Sequence, residues 1–195
     1  MDTFGANTQV FQYKVTDAIR LLIRHCRDDP EREGLKETPD RVSRALLEMT
    51  EGYTQDPAVI LSKQFSEPTD ELIVVSGINF YSLCEHHLMP FHGTATVGYL
   101  PDKKVVGLSK IPRLVHCYSR RLQIQERLTQ QITSALMDHL QPQGAGCIIQ
   151  AHHTCMSMRG VKCGGTMTTS CLLGVIRDMA REEFLSFVHQ HRGNP

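Results

Sequence analysis

Apolar residues recur at helical spacing near the start of the chain and at strand-like spacing in its middle, so the pattern predicts helices first and a sheet afterwards. One helical face between residues 10 and 27 collects five of them: Val15, Ile19, Leu22, Ile23 and Cys26. A second helix is predicted to begin at Thr38-Pro39-Asp40, because Thr can cap a helix and Pro is tolerated in its first turn. Residues 1–9 are predicted to form a polar lead-in.

The rest of the chain alternates pairs of strands with pairs of helices. Strands are predicted where β-branched and aliphatic residues concentrate, at residues 71–80, 91–100, 105–108, 147–151 and 166–176. Helices are predicted at residues 109–120 (capped by Ser109), 125–140 and 178–190, and a partly helical connector at 57–68. This order predicts an α+β fold, with an N-terminal helical segment at 1–66 and a catalytic domain at 67–195.

Composition narrows the class of protein. The 195 residues carry 21 Lys and Arg against 21 Asp and Glu, so the chain has no excess charge with which to coat nucleic acid or a membrane surface. The apolar runs are too short to span a bilayer, and residues 1–5 do not resemble a signal peptide. Seven cysteines spread over this length are unlike a secreted disulfide scaffold. We therefore expect a cytoplasmic protein whose thiols stay reduced.

A candidate metal site stands out in Cys84-Glu85-His86-His87, read together with Cys155. Two thiols and one imidazole suit zinc better than magnesium or calcium, and three protein ligands leave a fourth position for water, as in catalytic zinc sites. Spacing leaves open whether His86 or His87 is the ligand. It also leaves open a structural zinc, with His86, His152 or His153 as fourth ligand, and two unrelated buried cysteines.

Residues beside these candidate ligands suggest acid–base and anion chemistry. His86 and His153 neighbour the presumed ligands and are candidate proton shuttles. Glu126, next to Gln125, offers a carboxylate to the donor-rich edge of guanine, although such a pair at a helix start also favours the helix dipole. Five cations could together bind a polyphosphate, although each of them alone is more often a surface charge: Arg41, Arg44, Lys110, Arg113 and Arg159.

These stretches resemble the GTP cyclohydrolase I family from about residue 12 to the C-terminus. The resemblance is carried by residues 32–35, 38–42, 84–91, 107–110, 123–129 and 155–160. It implies a tunnelling-fold (T-fold) α+β subunit, with a core of antiparallel β-hairpins and helices on one face, preceded by an N-terminal helical segment. It also implies a toroidal homodecamer with active sites between subunits, which converts GTP and water to 7,8-dihydroneopterin triphosphate and formate in pterin and folate biosynthesis.

Roles follow from the resemblance, position by position. Zinc ligands would be Cys84, His87 and Cys155, and proton-transfer residues His86 and His153. Substrate-binding residues would be Gln125, Glu126, Ser109, Lys110, Arg113, Arg159, Arg41 and Arg44. The short N-terminal lead implies a bacterial-type enzyme without the feedback-protein regulation of animal relatives. Two alternatives are a T-fold protein with a purely structural zinc and a related purine-handling enzyme that stops after ring opening.

Overall fold

The computed structural model describes residues 8–190 of the chain, and the side chains of residues 14–188. The helices are α1 (Thr8–His25), α2 (Thr38–Met49), α3 (Pro57–Ile60), α4 (Lys110–Ser119), α5 (Gln125–Leu140), α6 (Thr154–Ser157), α7 (Val175–Asp178) and α8 (Arg181–Gln190), with a 3-10 turn at Glu51–Thr54. The strands are β1 (Gln64–Ser66), β2 (Ile73–Cys84), β3 (Pro90–Leu100), β4 (Lys104–Val106), β5 (Leu122–Gln123), β6 (Gly144–His153) and β7 (Thr166–Gly174). None of the helices among these residues is long and apolar enough to cross a bilayer.

The chain divides into two compact units, one ending at Thr50 and the other beginning at Glu51. The first unit holds α1 and α2, and the second holds the sheet and the remaining helices. Residues 51–66 therefore lie within the second unit. The functional division between residues 66 and 67 stays a prediction.

The second unit is built on a five-stranded sheet in the order β5-β2-β3-β6-β7. Its four long strands are antiparallel neighbours, whereas the short β5 pairs with the end of β2 in parallel. The two predicted hairpin-like pairs join through β3 and β6, from Phe91 opposite His153 to Leu100 opposite Gly144. A separate two-stranded ladder joins β1 to β4.

Alternating side chains divide between the two faces of the sheet, as the strand period requires. The main core lies where α4 and α5 cover one face, with Leu114, Leu128 and Leu136 packed among strand residues such as Phe80 and Ile149. A smaller core lies on the other face, where α7 and α8 contribute the following buried residues: Ile176, Phe184 and Val188. Helices α4 and α5 thus lie on one face of the sheet, as predicted. Helices α7 and α8 pack against one end of the opposite face.

The predicted helices and strands are confirmed, with corrections at their ends. Glu37 rather than Thr38 is the N-cap residue of α2, and no side chain caps that helix. Ser109 does occupy the N-cap position of α4, but its side chain makes no capping hydrogen bond. The strand predicted to end at residue 176 stops at Gly174, and β1 was missed because three residues show no periodicity. Helix α1 begins at Thr8, and the part of the predicted lead-in before it lies outside the described residues.

Candidate active site

The first half of the candidate site is the turn that joins β2 to β3. The amide of Cys84 donates to the carbonyl of Met89 (2.8 Å), and the amide of Leu88 donates back to the carbonyl of Cys84 (2.8 Å). Leu88 takes a positive φ of 54°, which lets the chain reverse within so few residues. The turn folds His87 back over Cys84, so that both side chains lie together beyond the end of the strand.

An ion pair ties this turn to helix α5. The guanidinium of Arg127 donates to both carboxylate oxygens of Glu85, at 2.6 and 3.0 Å. The backbone amide of Glu85 also donates to the carbonyl of Gln123 (3.0 Å). Hydrogen bonding to Arg127 lowers the pKa of Glu85, so the carboxylate stays ionised and keeps this bidentate contact.

The second half of the site is the short helix α6, which follows β6 directly. The hydroxyl of Thr154 donates to the carbonyl of Pro90, at the start of the strand that pairs with β6. Cys155 is the next residue, and its thiol lies beside that of Cys84. The ligand atoms of Cys84, His87 and Cys155 all lie within 4.8 Å of one another. The structure thus brings together three side chains that are up to 71 positions apart in sequence (155 − 84 = 71).

The three side chains form a group that could hold a metal ion. Burial raises the pKa of the Cys155 thiol, and the neighbouring Cys84 raises it further through its hydrogen bond and charge. A bound metal cation would instead lower the pKa of this thiol, because metal ligation favours the thiolate. Among the described residues, neither His86, His152 nor His153 belongs to the group.

His86 and His153, the predicted proton-transfer residues, have different surroundings. The Nδ1 atom of His86 is 4.0 Å from the Sγ atom of Cys84, and its ring is exposed to solvent. His153 is half-buried, because its ring stacks on Phe91 at 4.6 Å with only 6° between the planes. That burial lowers the pKa of His153, whereas the charge of Glu126 raises it.

Gln125, predicted to bind substrate beside Glu126, has a buried side chain. Only 1% of the residue is exposed. Its amide nitrogen donates to the carbonyls of Ile149 (3.1 Å) and Met167 (3.0 Å) and to the hydroxyl of Thr169 (3.1 Å). Its oxygen lies 2.8 Å from the Nε2 atom of His153. These partners fix the amide in the core, where its oxygen positions the His153 ring.

The predicted anion-binding residues fall into three places. Arg159 lies beside the metal-ligand group, with its Nη1 atom 3.4 Å from the Nε2 atom of His87. Ser109, Lys110 and Arg113 lie at the start of α4, and no hydrogen bond or ion pair within the described residues joins them to that group. Arg41 and Arg44 belong to α2 in the first unit, where Arg41 pairs with Glu37.

Sequence reasoning missed the residues that hold the site in shape. Arg127, Phe91 and Thr154 each act through one long-range contact, with Glu85, His153 and Pro90 respectively. Their neighbours in sequence give no sign of these partners. The sequence does hold one signal for Arg127. It is a cation on the first turn of a predicted helix, where the helix dipole disfavours positive charge unless an acidic partner lies nearby.

Fold and site together define a class of protein: an α+β domain with a candidate three-ligand metal centre at the end of an antiparallel sheet. The family model for GTP cyclohydrolase I matches residues 15–189. The chain belongs to the GTP cyclohydrolase I family, and its fold is the T-fold of that family.

Individual relatives agree with this membership. The protein "GTP cyclohydrolase 1" of Nitrosospira multiformis is 52% identical, over 92% of this chain and 96% of its own length. The proteins of the same name from Chlorobaculum tepidum and Campylobacter jejuni are each 49% identical over 91% of this chain, covering 81% and 96% of their lengths. A solved structure of the archaeosine synthase QueF-Like in the apo form is similar over 53% of this chain, with a TM-score of 0.43 and 12% identity, a likeness too weak to bear on fold or function.

Proposed function

We propose that this protein is a zinc-dependent hydrolase that converts GTP and water to 7,8-dihydroneopterin triphosphate and formate, the first step of tetrahydrofolate and pterin biosynthesis. The observation that carries the proposal is the cluster of Cys84, His87 and Cys155 within 4.8 Å, in a chain of the GTP cyclohydrolase I family. Relatives with this name match nearly the whole chain.

The donor set supports zinc as the metal. Two thiolates and an imidazole are soft and borderline ligands, and a tetrahedral zinc site would draw them from within 4.8 Å of one another to about 3.3–3.8 Å apart. A bound zinc ion supplies Lewis acidity and lowers the pKa of a water molecule towards about 7. Three protein ligands leave a position for that water, which favours a catalytic over a closed structural site.

His86 and His153 are the proposed proton-transfer residues. His153 is held by stacking on Phe91 and by the oxygen of Gln125, so one ring nitrogen is engaged and the other is available to a substrate. His86 is exposed beside Cys84 and can exchange protons with solvent. Protonation of the purine imidazole and delivery of protons during ring opening fall to these two side chains.

Substrate contacts are proposed for the polar residues around the group. Glu126 is exposed at the start of α5 and close enough to act on the pKa of His153, so its carboxylate can accept hydrogen bonds from the guanine edge. Gln125 would act beside it by holding the His153 ring through its buried amide. The triphosphate would be held by a set of cations and one hydroxyl: Arg159, Ser109, Lys110, Arg113, Arg41 and Arg44.

A toroidal homodecamer, with active sites at subunit interfaces, completes the proposal. In such an assembly, a neighbouring subunit could bring the proposed anion-binding residues next to the group of Cys84, His87 and Cys155. Within one chain, among the described residues, no hydrogen bond or ion pair connects Ser109, Lys110 or Arg113 to that group. The proposed location is the cytoplasm, where seven free thiols stay reduced. Light scattering should give a mass near that of ten chains of 22.0 kDa each, and a stable monomer or dimer with full activity would contradict this part.

A turnover assay tests the proposed reaction. Purified protein with GTP should release formate and form a fluorescent pteridine, and a chelator should abolish both. Formate without the pteridine would instead identify an enzyme that stops after ring opening. Unchanged turnover after complete zinc removal, verified by metal analysis, would show that the metal is not catalytic.

A further inference from the structure

A pair of histidines lies on the sheet outside the candidate active site. His92 on β3 and His152 on β6 are direct register partners, and their ring centres are 6.0 Å apart. They form one row across four strands with Tyr81 and Thr166, which pair with His92 and His152 respectively. The row therefore places two imidazoles side by side on a rigid scaffold of paired strands.

This pair faces away from the group at Cys84. Side chains alternate along a strand, so His92 and His152 point to the opposite face from Phe91 and His153. Phe91 lies in the core beneath α4 and α5, and His153 bonds to Gln125 of α5. His92 and His152 thus face away from these helices, and both are exposed.

The two rings are oriented and have free nitrogens. Tyr81 stacks on His92, with ring centres 5.8 Å apart and 27° between the planes, which restricts the rotation of that imidazole. Within the part of the chain that the structure describes, no hydrogen-bond partner is found for a ring nitrogen of His92 or His152. An open cavity of about 390 Å³ lies over the pair. Its rim adds oxygen-bearing side chains from the next row of the same face: Asn79, Thr94 and Gln150.

We propose that His92 and His152 form a second metal site, which binds one divalent first-row transition ion. A bound imidazole places its nitrogen about 2.0–2.1 Å from the ion, so the centres of two rings on one ion lie at most about 6 Å apart. The observed 6.0 Å is at that limit, and rotation of the exposed His152 ring towards His92 would bring the two imidazoles within it. Imidazole suits nickel, copper and zinc rather than magnesium or calcium. Water and the oxygen-bearing rim would fill the remaining positions.

Nickel titration of zinc-loaded protein tests this site. The protein is first loaded with one equivalent of zinc per chain, verified by metal analysis, so that the cluster of Cys84, His87 and Cys155 is filled and the histidine pair stays open before nickel is added. Equilibrium dialysis should then show one bound nickel ion per chain without release of zinc. The variants H92N and H152N should each weaken nickel binding by at least about tenfold, the lower end of what metal sites lose when a supporting contact is removed. The matched control is H139N, since His139 is another exposed histidine on α5.

A second readout separates a shared site from two independent surface histidines. If one ion is held by both rings, the loss of nickel affinity in the double variant should be smaller than the product of the two single losses, because each single variant already removes the two-ring contact. Nickel should also raise the melting temperature of the parent and of H139N, but not of H92N or H152N. If an Asn variant folds poorly, H92Q or H152Q takes its place in the same binding and melting measurements. Equal nickel binding in all variants, no extra equivalent in the parent, or nickel uptake matched by zinc release would each overturn the proposal.

Discussion

At the scale of single residues, Cys155 decides whether the thiol–imidazole group can hold a metal. Replacing its sulfur with oxygen in Cys155→Ser removes one of two soft donors, so zinc affinity should fall by more than the about 10–100-fold lost on removing a merely supporting contact. Zinc content by metal analysis and formate release from GTP should fall together. The control is Cys163→Ser, because Cys163 is exposed and lies outside the group. Full zinc content in C155S would contradict the assignment.

Gln125 is a second residue whose contribution can be measured, this time as stability. Gln125→Ala leaves the carbonyls of Ile149 and Met167 without their buried donor. Each unsatisfied group costs about 1–3 kcal/mol, so the free energy of unfolding should fall by roughly 2–6 kcal/mol for the two carbonyls. Denaturant unfolding measures this change, with the exposed Gln130→Ala on the same helix as control. Equal unfolding midpoints for the two variants would show that the amide network is not buried as described.

The same residue shows what sequence leaves open at this scale. The family resemblance implies that Gln125 and Glu126 hold the guanine edge together, but adjacent residues on a helix point in different directions. Sequence proximity therefore carried no information about which of the two was exposed. The structure separates them, with Gln125 turned into the sheet and Glu126 turned to solvent.

At the scale of elements, the packing of α8 on the sheet depends on two glycines that are register partners, Gly98 and Gly146. A Cβ atom added to Gly98 would lie 2.8 Å from the ring of Phe184, and one added to Gly146 would lie 3.0 Å from the same ring. Either Ala substitution overpacks this small core and should lower the free energy of unfolding by about 1–3 kcal/mol. Denaturant unfolding tests this.

A loop glycine and a double variant control that measurement. Gly164→Ala should change little, because no heavy atom lies within 4 Å of the added Cβ. Combining G98A with Phe184→Leu should cost less than the sum of the two changes, since Phe184 is the nearest obstacle to the added Cβ and the smaller side chain relieves that contact. Strict additivity would mean that Phe184 is not the obstacle.

The turn after α1 carries an ion pair whose pH dependence follows from its geometry. Arg32 donates to both carboxylate oxygens of Asp28 at 2.8 Å, and with the amide of Asp29 this lowers the pKa of Asp28 from 3.8 to about 2. Because the folded-state pKa is depressed, the stabilisation is present above about pH 3.8 and is lost as pH falls towards 2. NMR titration of the carboxyl carbon should show this pKa, which Arg32→Gln should return towards 3.8 and Arg24→Gln should leave unchanged.

At the scale of the whole molecule, removing the metal should expose the two thiols to each other. Cys84 and Cys155 hold their sulfur atoms within 4.8 Å, and a modest closing of the two segments would allow a disulfide. In air, oxygen would take up the two electrons and two protons that the thiols release, giving hydrogen peroxide. The free-thiol count should then fall from seven to five, and a reductant should restore it. Chelation without oxygen is the control, and seven free thiols after aerobic chelation would contradict the expectation.

The sequence alone determined the elements of this protein and the types of its metal-binding side chains. Hydrophobic period and turn residues are local properties, so α5, β2 and β3 could be predicted from short windows of sequence. The residue types of Cys84, Cys155 and the two histidines His86 and His87 likewise predicted the chemistry of the group, although spacing left the choice of histidine open.

Only the tertiary structure decided which groups meet and which face they share. Pairing β3 with β6 sets His153 against Phe91 and His92 against His152, and strand alternation sends the two pairs to opposite faces. Burial then decided that Gln125 supports His153 rather than facing solvent. These outcomes depend on strand register and on contacts between residues far apart in the chain, which no local pattern encodes.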